Sequence, residues 1–306
     1  MTSLRARVAR RISSAWFSRI DANTADVKAI RRRFHAWSNV LWTARGVSSE
    51  KGALNGLPVE WLTPAEAAGG KLLLYFHGGG YVMGSCATHR QMVSYIAKAA
   101  SVKALLPEYR LAPEHRFPAA VEDCVGIYRA MLEAGYSAHD IVIAGDSAGG
   151  GLVVATLMSL RDAGDPLPKA AVLLSPWLDL SGRGESMTTH ADKDPWFNPE
   201  HMPVLARYYC DEGQEVNPLV SPVYGDFSGL PPTYIQVGED EILLSDSTRA
   251  AESINAAGGT VELEIWPDLW HVFQAFVHQV PEARQAVRRL GDHIRASLDA
   301  EACSEA

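Results

Sequence analysis

The stretch Ile141-Val142-Ile143-Ala144-Gly145-Asp146-Ser147-Ala148-Gly149-Gly150-Gly151-Leu152 constrains this chain more than any other. An apolar, β-branched run stops at a glycine, one serine follows, and a glycine run then leads into a helix-type apolar pattern. Gly145-Asp146-Ser147-Ala148-Gly149 fits G-x-S-x-G, a strand–turn–helix elbow that lifts a serine hydroxyl above a sheet edge. A turn this sharp strains the serine backbone and crowds the positions two before and two after it, where only glycine fits. The helix that follows aims its N-terminal N–H groups and positive dipole end at the same spot. The alternative is a plain Gly-rich turn carrying a chance serine; the strand before it and the helix after it favour the elbow.

A second stretch points the same way. Lys71–Phe76 reads as a buried strand, and His77-Gly78-Gly79-Gly80 follows at once. An H-G-G-G loop beside such an elbow turns its N–H groups, with that of Ala148, toward a developing oxyanion. His77 has no second His or Cys at metal-ligand spacing, so it is expected to prop the loop by a hydrogen bond rather than to bind a metal.

The rest of the chain supplies a sheet for these turns. Val59–Leu62, Lys103–Leu106, Ile141–Ala144, Ala170–Leu174, Thr233–Val237 and Val261–Ile265 read as further strands. Helical sequence covers His89–Ala100, 119–134 and the stretch from the elbow to about Arg161. This alternation predicts a mostly parallel sheet covered on both faces, with its site at the carboxyl ends of the strands. Val261–Ile265 alternates, as an edge strand does.

Two regions fall outside that pattern. Residues 1–45 read as two helices, with Val8, Ile12, Trp16 and Ile20, then Val27, Ile30, Phe34 and Trp37, near helical spacing. Asn23 or Thr24 is placed to cap the second. Trp16, Phe17, Trp37 and Trp42 exceed what two small helices need for docking; a lid over an apolar pocket is the favoured reading, plain docking the other. From Leu180 to about Leu230 the chain is turn-rich, with Pro195, Pro199, Pro203, Pro218 and Pro222 and one helix over Glu200–Cys210. The expected division is a cap from 1–45 and an insertion at 181–230, over a core of 46–180 and 231–300.

A serine hydroxyl needs a base, and the order for this elbow is serine, acid, histidine. His271, in Pro267-Asp268-Leu269-Trp270-His271-Val272-Phe273, follows the last strand at its carboxyl end. His278 and His293 fall in helical pattern, and His190 and His201 in the insertion. The acid is expected in the loop after Thr233–Val237, where Glu239, Asp240, Glu241 and Asp246 all stand.

The chain resembles the hormone-sensitive-lipase-like (family IV) carboxylesterases of the α/β-hydrolase superfamily. The resemblance rests on His77-Gly78-Gly79-Gly80-Tyr81, Tyr109-Arg110-Leu111-Ala112-Pro113-Glu114, Gly145–Gly150, Asp194-Pro195, Leu230-Pro231-Pro232 and His271-Val272-Phe273, in order across about residues 70–275. It implies an α/β-hydrolase fold with a helical cap, a Ser147–acid–His271 triad, and an oxyanion hole from the Gly79, Gly80 and Ala148 N–H groups. It further implies a serine esterase acting on short- to medium-chain acyl esters through an acyl-enzyme, with no cofactor and no metal. Where the family commonly has Asp-Pro-Leu, this chain has Glu241-Ile242-Leu243. That register selects Glu241, with Asp240, one position early, as the competing choice. Glu239 lies nearer the strand, and Asp246 suits a helix N-terminus. The rivals are an amidase, a specialised arylformamide, feruloyl or acetyl esterase, and a ligand-binding member. Plant gibberellin receptors resemble the family but lack the histidine that stands here as His271. Arg110 and Glu114 are expected to form a buried network behind the glycine loop. Asp194-Pro195 is expected to open a turn, with Trp196 as a pocket wall.

Composition closes off other classes. Of 306 residues, 47% are hydrophobic and 21% charged, ordinary for a large-cored globular chain. A net charge of -8 argues against a nucleic-acid partner. Cys86, Cys124, Cys210 and Cys303 are scattered, as reduced thiols of a cytoplasmic protein are. No apolar run is long enough for membrane insertion. The Arg-rich N-terminus reads as a basic helix face, an organellar presequence being the alternative. A small-molecule ester is the expected partner, and the chain a monomer or homodimer.

Overall fold

A computed structural model describes residues 2–17, 26–38 and 42–300. Helices α1 (Leu4–Phe17) and α2 (Val27–Ser38) precede a hairpin of β1 (Val47–Leu54) and β2 (Leu57–Pro64). Then come β3 (Leu72–Phe76), α3 (Cys86–Ala100), β4 (Lys103–Pro107), α4 (Ala119–Glu133), β5 (Ile141–Asp146), α5 (Ala148–Ala163) and β6 (Ala170–Leu174). Short helices α6 (Ser186–Thr189) and α7 (Met202–Tyr209) lead to β7 (Thr233–Gly238), α8 (Leu244–Ala256), β8 (Val261–Trp266) and α9 (Pro281–Asp299). The strands form one eight-stranded sheet in the order β1-β2-β4-β3-β5-β6-β7-β8. β2 runs antiparallel to both β1 and β4, and the pairs from β4 to β8 are parallel. This is the mostly parallel sheet that the sequence predicts.

Side-chain alternation divides the core. Leu72, Leu74 and Phe76 of β3 join one cluster with Val121 and Ile127 of α4 and Leu152 and Leu157 of α5. Leu73 and Tyr75 point the other way, toward Met92 and Ile96 of α3 and Leu290 and Ile294 of α9. β3, β5 and β6 are buried throughout, which explains their unbroken apolar runs. β8 is half-exposed at the sheet edge, as its alternation requires.

Several expectations need correction. β1 has no counterpart among the expected strands; its exposed sequence carries no apolar alternation. The signal for the hairpin was Asn55-Gly56, where both residues have positive φ (50° and 77°) as a tight hairpin turn demands. Val8 and Ile12 do not mark the packed face of α1: they are exposed, and Ala6 and Ala9 pack instead against Trp270, Phe273 and Phe276. Trp42 is also exposed and stands edge-on to His278, rather than enclosed as a lid residue over a pocket would be. The side chains of Trp16, Phe17 and Trp37, and the cap positions Asn23 and Thr24, lie outside the described residues, as does Cys303. His278 sits in a turn after a 3-10 helix at Phe273–Phe276, not within a helix.

Candidate active site

β5 ends at Asp146, and Ser147 takes φ 53° and ψ −123° before α5 begins. That is a strained backbone for a residue with a Cβ, and it is held on both sides. The Ser147 N–H donates to Leu174 O (2.9 Å), while its carbonyl accepts from Trp177 N (2.9 Å) and Gly151 N (3.2 Å). A Cβ on Gly145 would lie 2.5 Å from the Gly149 carbonyl, and one on Gly149 2.1 Å from Phe76 O. The elbow therefore closes only with glycine at both positions, and α5 packs against the end of β3.

That packing brings His77–Gly80 beside Ser147. Gly78 N donates to Asp146 Oδ1 (3.0 Å), and Gly79 O accepts from Val82 N (3.1 Å) and Met83 N (2.9 Å). The N–H groups of Gly79, Gly80 and Ala148 have no acceptor among the described residues. His77 stacks on Tyr109 with ring centroids 4.2 Å apart, and its Nδ1 lies 2.9 Å from Gly78 O. Tyr109 donates its hydroxyl to His77 O (2.6 Å). Burial, aided by nearby His89, pulls the His77 pKa down to about 3, so the ring is neutral and props the loop.

The residues behind this loop differ from expectation. Arg110 does not meet Glu114. Its guanidinium binds Asp123 (2.8–3.0 Å) and Glu122 (3.2 Å), while Glu114 pairs with Arg31 of α2 (2.7 Å). Asp123, four residues into α4, lies close enough for Arg110 to close a local fork, and the chain beyond Ala112 carries Glu114 outward to α2. The buried pair behind the loop is instead Asp146 and His89, 3.3 Å apart. Asp146 also accepts from Tyr75 Oη (2.9 Å). Burial opposes both charges, yet the pair and its hydrogen bonds outweigh it, lowering the Asp146 pKa and raising that of His89. An acid closing a fully buried strand was the available signal for Asp146; His89 had none.

The acid loop follows β7. Glu241, with no exposed surface, sets Oε2 2.9 Å from His271 Nδ1. Its Oε1 accepts from Ser175 Oγ (2.7 Å) and Gly238 N (2.6 Å). Ser175 in turn accepts from Val272 N (3.1 Å), joining β6, the acid loop and the histidine loop; sequence reasoning missed it. Asp240 points away and pairs with Arg10 of α1. Glu239 accepts from Asp268 N (3.2 Å). Asp246, in the first turn of α8, accepts from Leu178 N (2.7 Å) and Asp179 N (2.8 Å).

Ser147 and His271 open on one cleft, with about 100 Å³ of space for water-sized groups, walled by Phe34 of α2, Met83, Met92 of α3, Phe197, Leu205 of α7 and Phe276. The Ser147 hydroxyl and His271 share this space without a hydrogen bond between them among the described contacts. Phe197 meets the His271 ring edge-on at 4.8 Å, and Trp196 does so at 6.0 Å. Asp194 does form a turn, accepting from Trp196 N (2.8 Å) and Phe197 N (3.1 Å). It also accepts from Ile242 N (3.0 Å), which ties the aromatic wall to the acid loop. Burial raises the Asp194 pKa to about 6. Among the described residues no three His, Cys, Asp or Glu side chains gather to hold a metal ion, and no helix is long and apolar enough to cross a membrane.

Residues 73–275 match the model of a family with the alpha/beta hydrolase fold. An acetyl-hydrolase of Streptomyces hygroscopicus is 42% identical over 238 residues, spanning 78% of this chain and 79% of that protein. An esterase of Acinetobacter venetianus is 35% identical over 77% of this chain and 78% of its own length. A solved esterase of the bacterial hormone-sensitive lipase family superposes with a TM-score of 0.93 at 41% identity, covering 97% of this chain and 99% of that one.

Proposed function

Because the chain belongs to the alpha/beta-hydrolase family, in its hormone-sensitive-lipase branch, and is a carboxylic ester hydrolase, we propose that Ser147 is its nucleophile, His271 its base and Glu241 its acid. His271 Nε2 takes the proton from Ser147 Oγ as that oxygen attacks the ester carbonyl. In the free enzyme both groups line one cleft without a hydrogen bond between them, and such contacts commonly tighten when substrate binds. The N–H groups of Gly79, Gly80 and Ala148 receive the oxyanion that forms. His271 then gives its proton to the leaving alcohol, leaving Ser147 acylated. Water, activated by the same histidine, adds to the acyl group, and the carboxylic acid leaves as Ser147 regains its proton. Glu241 holds the Nδ1–H throughout, so the tautomer is fixed and the imidazolium is stabilised.

The observation that carries this reading is the buried contact between Glu241 and His271 at the wall of the cleft that Ser147 enters. Residues 1–45 and 181–230 act as a cap on a core of 46–180 and 231–300; Phe34 comes from the first part, Phe197 and Leu205 from the second. The apolar walls favour short- to medium-chain acyl groups. The test is a pre-steady-state burst of p-nitrophenol from p-nitrophenyl butanoate, with the butanoyl group located by mass spectrometry on Ser147. A Ser147→Ala variant that keeps wild-type turnover would overturn the proposal.

A further inference from the structure

Among the described residues, one face of α1 has no packing partner. Leu4, Val8 and Ile12 stand one turn apart and are 68%, 49% and 60% exposed, while Ala6, Ala9 and Ser13 face the protein. On a helical wheel Arg7 and Arg11 flank this stripe on one side and Arg5 on the other, all three exposed. The helix is firmly seated: Ser3 binds Glu282 through both N (2.5 Å) and Oγ (2.8 Å), and Arg10 binds Asp240. Trp42, 69% exposed, stands on His278, next in sequence to Gln279, which borders the groove beside Leu4, Val8 and Ile12. Phe276 walls both that groove and the catalytic cleft.

Charge is also unevenly divided along the chain. Residues 1–45 carry ten Lys and Arg against two Asp and Glu; the remaining residues carry eighteen against thirty-four. We propose that the α1 face, with Trp42, docks the enzyme reversibly on an anionic lipid surface. An apolar stripe edged by arginines suits that boundary: the apolar side chains enter the acyl layer, the guanidinium groups stay at the headgroups, and an indole sits between. The acidic remainder of the molecule is repelled, so this face alone approaches and the cleft wall at Phe276 is held near the surface. A second copy fits less well. A two-fold pairing of this stripe would set its flanking arginines against their own copies, and three side chains fall far short of the roughly 800 Å² per partner of a stable interface.

The experiment is co-sedimentation of the full-length protein with phosphatidylcholine vesicles, with and without roughly one-third phosphatidylserine. The expected result is partition at least about tenfold higher on the anionic vesicles, falling as salt is raised. Leu4→Ser, Val8→Ser and Ile12→Ser together should lose that partition, with hydrolysis of dissolved p-nitrophenyl butanoate unchanged as proof of folding. Arg5→Glu, Arg7→Glu and Arg11→Glu together should abolish the preference for the anionic vesicles. Equal partition on both vesicle types, or wild-type binding by the serine variant, overturns the proposal. So does a dimer in analytical ultracentrifugation that the serine variant dissolves, which would assign the face to a second copy.

Discussion

Glu241 and Asp240 are chain neighbours with opposite surroundings. Glu241 has His271, Ser175 and Gly238 N around its carboxylate; Asp240 faces Arg10 on α1. Glu241→Gln keeps the shape but cannot stabilise the imidazolium, so kcat on p-nitrophenyl butanoate should fall by up to roughly 10⁴-fold. Asp240→Asn should change it by less than about threefold, since the surface pair it loses contributes little. A large loss with Asp240→Asn and a small one with Glu241→Gln would move the acid. Asp246 offers a second measurement at this scale. Burial, joined by the neighbouring Asp179, raises its pKa to about 8 even though two backbone N–H groups favour its charge. An acid whose folded pKa lies above its unfolded value binds a proton more readily in the folded state, so stability is lost as pH climbs between the two. Asp246→Asn can still accept from Leu178 and Asp179 and does not titrate. Its stability relative to wild type should therefore rise from about pH 4 to pH 8 and level off above, by an amount on the order of a few kcal/mol. Urea melts at three pH values give the slope, and a flat difference would refute the linkage.

At the scale of elements, legibility followed how local the signal was. The elbow, the glycine loop and the buried strands each occupy fewer than about ten consecutive residues, and backbone sterics alone demand their glycines and apolar runs. The residues after β7 left four carboxylates open, and only the resemblance, through its register after that strand, singled out Glu241. Ser175 was not reachable, because it matters only once β6, the acid loop and the histidine loop meet. The expected Arg110–Glu114 pair failed for a related reason: sequence proximity was taken for contact, and Glu114 belongs to Arg31, far away in the chain. That partner makes α2 testable. Arg31 donates to Val82 O (2.7 Å), Ala112 O (2.7 Å) and both oxygens of Glu114, fastening α2, and with it Phe34, to the loop after the glycines. Arg31→Ala should raise KM for p-nitrophenyl hexanoate by about fivefold or more while the melting temperature moves only a few degrees. Arg31→Lys should not restore it, because one ammonium cannot span the four acceptor oxygens that the guanidinium fork reaches. An unchanged KM would mean that α2 keeps its place without this anchor.

Across the whole molecule, the cleft is assembled from distant parts of the chain: Phe34 near the start, Met83 and Met92 beside the glycine loop, Phe197 and Leu205 in the turn-rich stretch, Phe276 beyond the histidine. Substrate length then becomes a ruler for the assembly. Each methylene that stays against these walls contributes about 0.8 kcal/mol, close to a fourfold gain in kcat/KM. The gain stops where the chain leaves the walls, and a longer tail only adds ordering cost. On p-nitrophenyl esters, kcat/KM should rise from acetyl to about hexanoyl and drop at least roughly tenfold at palmitoyl. Removing residues 1–45 takes Phe34 from one wall, so the rise should flatten, with the acetyl ester, which needs that wall least, affected least. The sheet and both catalytic loops belong to residues 46–300, so thermal unfolding of the truncated chain should remain cooperative. Comparable kcat/KM on palmitoyl ester in the full chain would make this a lipase with an open groove. An unchanged length profile after truncation would remove α2 from the pocket.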